Sequence, residues 1–510
     1  MVRLHPDEEF GSPADASSDS VNAPKRVLRT DAPPPLRFTD MALYAVGSMS
    51  NGIKNRSLSA FLLLYYNQVL GLPAPMVGAI IMVLLAIDGL LDPLVGVASD
   101  NARTRWGRRH PFMYAAALPY GICFALIWNP PAGLSQVGLA VFLTLALFGT
   151  RLFDTFFEVP SSALGPELVE DYDRRTTLIT VRYFFTFLGG VLLTFVAYRV
   201  FLSDAAAGAD DGLFNAEGYR RYGLLAGAVI ALVILVATRS THRRIPWLRD
   251  PPSQAASPFG LLQDAFATLK DRSFWVLTAS GTFAATAGGV LSGLSTYFNV
   301  YFWELDAREL SYLVTAGLVA SVGALVVAPP LFARLGKKTG AIVLFVAAFL
   351  ANTAPVVLRL LGLLPENGSS VILWLLIAEA LLSGAIGLML NIAFSSMVAD
   401  LTEDAELRTG RRSEGLLISA DNFLKKATSG LGVFISSVVI SLVGFPAKAR
   451  PGEVPEAALR ELGVFFIAAL GVIYLVSILC LFGFRIDRNA HLRNVEALKE
   501  RAERARAAKG

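Results

Sequence analysis

The chain has 510 residues, 54% of them hydrophobic and 17% charged, and a mean hydropathy of +0.53. Soluble domains carry about 25% charged residues; this deficit, with many apolar runs longer than about 18 residues, predicts an all-α polytopic membrane protein. The formal net charge of +4 is too small for a nucleic-acid surface, the four scattered histidines have no metal-ligand spacing, and Cys123 and Cys480 sit in apolar segments, which argues against a disulfide framework.

Residues 1–36 are polar, contain "DAPPPL" and lack the apolar stretch of a signal peptide, so they read as a disordered cytoplasmic tail. Twelve spans follow, at about 38–70, 75–99, 111–129, 136–165, 175–202, 219–240, 273–303, 309–334, 339–362, 370–400, 414–444 and 459–484. The loops after the even-numbered spans are basic, as in "ARTRWGRRH", "RSTHRRIP" and "RLGKKTG", whereas "GLPAP" and "NPPAGLSQ" on the other side carry no charge. The positive-inside rule therefore places both termini in the cytoplasm of a plasma-membrane (inner-membrane) protein. The longest cytoplasmic connection, 241–272, divides a first bundle of six spans (37–240) from a second (273–485), with a basic tail over 486–510. The bundles echo each other: "ELVEDYDRRT" from Glu167 and "DLTEDAELRT" from Asp400 match at a constant offset of 233 residues, and "WGRRHP" after span two is answered by "LGKKTG" after span eight. Two similar six-helix halves in parallel repeat predict the major facilitator fold.

An ionisable side chain in a span costs roughly 2.5–3.5 kcal/mol on the insertion scale, so each needs a reason. The spans hold Lys54, Arg56, Asp88, Asp92, Arg151, Asp154, Glu158, Arg182, Glu379, Asp421, Lys425 and Lys426. Asp88 and Asp92 share a helix face at i and i+4, and Thr155 and Glu158 share another at i and i+3. Together these oxygens suit a small cation or a proton; the alternative is static pairing of the acids with Arg182, Arg151 or Lys426. Lys54 and Arg56 read equally well as substrate contacts or as structural pairs, and Glu379 as a snorkelling or packing residue. Arg103, Arg105, Arg108 and Arg109 fix orientation and are placed to latch the cytoplasmic side through Asp100, Glu167 or Asp404. Glycines in spans five and seven suit close helix approach. The chain has no P-loop for nucleotide-driven transport and no nucleophile–base constellation for an enzyme.

"DGLLDPLVGVASDNARTRWGRRHPF" and "MVADLTEDAELRTGRRSEGLLISADNFLKK" resemble the signatures of the glycoside–pentoside–hexuronide:cation symporters, the melibiose-permease group, and the likeness runs through all twelve spans. The resemblance implies a symporter, working as a monomer with sodium or a proton as coupling ion and no other cofactor. Asp88, Asp92 and Thr155 correspond to its cation site. Glu158, Arg182 and Lys426 correspond to substrate contacts, with Phe157 or Tyr183 as a stacking platform. The chain departs from the family where a cation-site asparagine becomes Leu91, a sugar-binding pair becomes Asn51 and Gly52, and a stacking tryptophan becomes Ser162. A sugar or glycoside is the expected substrate. A lipid-like or other non-sugar solute is the first alternative, and a non-transporting sensor or scaffold on the same fold is the second.

Overall fold

The computed structural model describes residues 36–169, 171–203, 212–248, 272–409 and 414–483, and each of the twelve expected spans is a helical run in it. The two tails and residues 249–271 of the central connection lie outside the described residues. Numbered in chain order, α1 covers residues 38–69, α2 Ala74–Asn101, α3 His110–Ile127, α4 Gln136–Leu168, α5 Tyr172–Val196 with a final π turn Ala197–Phe201, and α6 Ala216–His242. The second half holds α7 Arg272–Tyr297 with a π turn Phe298–Phe302, α8 Ala307–Leu335, α9 Lys337–Leu360, α10 Ser370–Thr409, α11 Glu414–Leu442 and α12 Glu456–Phe482.

Among the described residues, eleven helices are long and apolar enough to cross a membrane, and α1 is the helical run that is not. Its centre, "MSNGIKNRS", is polar. A 3₁₀ turn at Val46–Ser48 and π turns at Leu58–Leu62 and Tyr65–Val69 interrupt its α-helical pitch. Such irregular turns concentrate at functional sites. Two devices hold α1 in place. Its far end is pinned by Tyr65, whose hydroxyl donates to the Trp128 carbonyl at 3.1 Å, and by Phe61, packed edge-on against Trp128, Tyr198, Tyr219 and Tyr222. Its middle lies directly on α5: a Cβ at Gly52 would sit 1.8 Å from the Thr186 carbonyl oxygen, so only glycine permits the approach.

The second echo segment differs from expectation. "DLTEDAELRT" is no loop after span ten but the end of α10, which runs unbroken for 40 residues. At 1.5 Å per residue it measures about 60 Å, twice the hydrocarbon thickness. Its counterpart breaks between Leu168 and Tyr172, where the Asp171 side chain caps α5 by accepting from the Arg174 amide at 2.9 Å.

The halves meet along α2 and α11. Small residues let the backbones close: a Cβ at Gly430 would lie 2.9 Å from the Met82 Cα, and one at Gly89 would lie 2.8 Å from the Phe423 ring. At the end of the bundle that carries Leu70–Pro73, hydrogen bonds cross between halves. Gln68 donates to the Pro446 carbonyl (3.3 Å) and accepts from the Ala449 amide (3.0 Å), while the Tyr297 hydroxyl donates to Asn67 (2.7 Å). At the opposite, arginine-rich end, the ion pairs among the described residues stay within one half. Arg108 and Arg109 bind Glu167 and Asp100, and Lys337 binds Asp400. Among the described residues, the end contacts that join the two halves are thus those at the Leu70–Pro73 end.

Candidate functional site

Asp88 sits one turn before Asp92 on α2, and Pro93 lies within the same helix. Arg151, Asp154 and Thr155 follow at i, i+3 and i+4 on the facing side of α4, so all three point towards α1 and α2. The Thr155 hydroxyl donates towards Asp88 Oδ1 at 3.2 Å and towards Asp92 Oδ1 at 3.3 Å. Lys426 of α11, from the other half, places Nζ 2.6 Å from Asp92 Oδ2 and 3.2 Å from Asp88 Oδ2. Arg151 Nη1 lies 3.3 Å from Asp88 Oδ2, while Lys54 of α1 binds Asp154, whose other oxygen accepts from Tyr120 at 2.8 Å.

The two aspartates are not equivalent. The Asp88 side chain is 3% exposed and is shared by Thr155, Arg151 and Lys426. Asp92 is 31% exposed, and its one cationic partner among the described residues is Lys426. Three carboxylates (Asp88, Asp92, Asp154) face three cations (Lys54, Arg151, Lys426), so the cluster is neutral as it stands. Of the three cations, Lys426 is the one held from the other half.

A second group lies on α4 and α5. Arg182 directs Nη2 at Glu158 Oε1 (2.9 Å), Nη1 at the Tyr44 hydroxyl (2.8 Å) and Nε at Ser48 (3.1 Å), and stacks 5.3 Å from the Tyr44 ring centre. Two of its donors thus face α1 and the third α4. Glu158 Oε2 is buried without a hydrogen-bond partner among the described residues, an acceptor left for a water or a proton. Ser162 donates to the Val159 carbonyl at 3.0 Å.

Between the halves lies a cavity of about 790 Å³. Its wall includes Asn55, Arg56 and Ser59 of α1, Thr186 and Phe187 of α5, Asn299 and Trp303 at the end of α7, Asn352 of α9, and Glu379 and Ser383 of α10. Glu158, Arg182 and Lys426 do not line it. Residues two apart on a helix lie about 200° apart around its axis; accordingly Lys54 turns to α4 while Arg56 turns into the cavity. Helix α1 is thus a partition with the charge cluster on one face and the cavity on the other. Phe157, one expected platform, is fully buried, and its ring lies 2.6 Å from where a Cβ of Gly47 would be, so it packs α1 and presents no face to a solute. Tyr183 is exposed on α5, one turn before Phe187. Phe187 and Trp303 are two of the cavity aromatics that sequence reasoning missed, beside Tyr198, Phe298 and Phe466. The spacing Tyr183/Phe187 was the available sign of the first, and nothing local marks the second.

At the arginine-rich end, Arg108 and Arg109 meet Asp100 and Glu167, as expected, but all four belong to the first half. Burial and then the neighbouring Arg108 lower the Arg109 guanidinium below its ordinary value, against the pull of Asp100. Arg103 and Arg105 are exposed, the latter over the Trp106 ring at 5.4 Å. The Asp404 side chain lies outside the described residues.

Two six-helix halves around a central cavity, joined at one end, define a major facilitator membrane transporter. Solved structures agree on the fold. A bacterial homologue of the human lysosomal transporter Spinster, inward-facing and unoccupied, superposes with a TM-score of 0.61 at 17% identity over 89% of this chain and 98% of that one. The nucleoside transporter NupG does so at 0.61 and 12%, over 88% and 100%. The family model described as MFS/sugar transport protein matches residues 43–488, and the chain belongs to that family. Relatives include the isoprimeverose transporter of Lactiplantibacillus pentosus, 23% identical over 87% of this chain and 88% of its own length. Another is the glucuronide carrier protein homolog of Escherichia coli K12, at 24% over 79% and 84%. The chain is a multi-pass integral membrane transporter of symporter type.

Proposed function

We propose that the protein couples the downhill movement of sodium or a proton to the uptake of a sugar or glycoside by alternating access. The observation that carries this is the seat of Lys426. An ammonium tethered to one half rests on Oδ2 of Asp88 and of Asp92 from the other half, carboxylates whose Oδ1 atoms meet the Thr155 hydroxyl. A seat that suits a tethered monovalent cation suits a free one. Exchanging them removes the Lys426 tie between α11 and α2, so cation binding alters the contact between halves, which is what coupling requires. Leu91 withholds an oxygen that a sodium site would use, which puts the proton level with sodium as the coupling ion.

The partition formed by α1 links this event to the substrate. A solute against Asn55, Arg56 or Ser59 bears on the helix whose other face holds Lys54 against Asp154, and Phe187 and Trp303 supply apolar faces for a sugar ring. Glu158, Arg182 and Tyr183 act from α4 and α5 beside it. With the arginine-rich end cytoplasmic, as positive-inside has it, the seal through Gln68 and Asn67 closes the outside and the form described is inward-facing. Arg103, Arg105, Arg108 and Arg109 then stand where a latch to Asp404 would form on the opposite swing.

The test is uptake of a glycoside panel into proteoliposomes under sodium or proton gradients imposed separately. Accumulation above equilibrium under one gradient, abolished by collapsing it, is expected. Equilibration that ignores both gradients would make the protein a passive facilitator and sink the coupling.

A further inference from the structure

Of the six interior cations that the sequence singles out, five have carboxylate partners: Lys54 with Asp154, Arg151 with Asp88, Arg182 with Glu158, Lys425 with Asp421, and Lys426 with Asp92. The corresponding carboxylates are thereby also accounted for. One cation and one carboxylate remain, Arg56 and Glu379, and both line the central cavity. They come from opposite halves, Arg56 from α1 and Glu379 from α10. The Arg56 guanidinium reaches across to α8, with Nη2 3.0 Å from the position a Cβ on Gly317 would take. Gly317 abuts Gly384, which follows the Ser383 hydroxyl that donates to Glu379 Oε1 at 2.7 Å. The two charges therefore border one region of the cavity without pairing with each other among the described residues.

In the form described, Arg56 is exposed to the cavity and Glu379 half-exposed, so water can solvate both. Alternating access requires a closed state, in which that water is lost. An ion taken out of water without a partner costs several kcal/mol. A neutral polyol leaves both charges uncompensated, and a simple anion leaves Glu379. A solute with an anionic group at one end and a protonated amine at the other compensates both.

We propose that Arg56 and Glu379 form a two-point recognition site for a dipolar solute, an amino sugar bearing an acidic group, with the acid on Arg56 and the amine on Glu379. This rests on the transport reading above and names the substrate class of the same cavity.

The experiment measures binding of four probes to the purified full-length chain by calorimetry at neutral pH: 2-amino-2-deoxyglucuronic acid, glucuronic acid, glucosamine and methyl glucoside. The dipolar probe is expected to bind at least about tenfold more tightly than the rest, about 1.4 kcal/mol. Arg56→Gln should reduce its affinity to that of glucosamine, and Glu379→Gln to that of glucuronic acid. The double charge swap Arg56→Glu with Glu379→Arg should bind it better than either Arg56→Glu or Glu379→Arg alone, a recovery that misfolding cannot produce. Equal affinity for glucuronic acid or methyl glucoside, or single variants that leave the dipolar probe unaffected, overturns the assignment. If methyl glucoside is also driven uphill in proteoliposomes, sugar symport stands and the dipolar site alone falls. If the dipolar probe binds as expected but no ion gradient drives its uptake, the coupling falls and the recognition site stands.

Discussion

The cluster on α2, α4 and α11 and the cavity on the far side of α1 hold the same kinds of side chain in opposite conditions. In the cluster each carboxylate touches a cation, and the exposed fraction falls to 3% at Asp88. In the cavity Arg56 stands open and Glu379 half-buried on Ser383, with no ion pair between them among the described residues. On the proposed function, the difference separates two tasks. A site that must hold one small, invariant ion is preorganised, with its electrostatics satisfied in advance. A site that must close around a larger solute keeps its charges in water until the solute arrives.

Four substitutions sharpen or break that contrast. The largest effect is expected from Asp92→Asn, which removes the exposed partner of Lys426 while Asp88 still holds the ammonium. Uphill accumulation should vanish while counterflow exchange persists, read as tracer uptake in proteoliposomes; undiminished accumulation would remove Asp92 from the cation site. Asp88→Asn should instead act on stability, because it strands the buried Arg151. Loss of one partner of a buried pair costs about 3–5 kcal/mol, visible as a lower melting temperature that Arg151→Gln in the same chain partly restores. Gly52→Ala should cost about 1–3 kcal/mol by overpacking and push α1 off α5, with glycoside affinity falling alongside stability. Arg103→Gln, on an exposed loop, should change melting by less than about 0.5 kcal/mol.

The helix boundaries were legible because lipid allows few alternatives: apolar length and basic loops mark each span, and predicted and observed ends differ mostly by one to four residues. The exception is the end of α10, where a polar stretch with good helix formers continues a helix that hydropathy stops at 400. The acids of the cluster were legible from their cost in a membrane. Their partners were not. Arg151 is as near in sequence to Asp154 as Asp88 is to Leu91, yet it pairs with Asp88 and leaves Asp154 to Lys54. That choice depends on how far α1 and α4 are rotated about their axes, which no local pattern records. For the same reason Glu379 read as a packing residue although it borders the cavity.

On the proposed function, the tether of Lys426 bears on the return limb of the transport cycle. An empty carrier must swing back, and bare carboxylates would make that return electrogenic and slow. With the ammonium seated between Asp88 and Asp92, the returning protein carries no net charge at this cluster. On this reading the membrane potential acts on the loaded limb of the cycle and leaves the return indifferent to voltage.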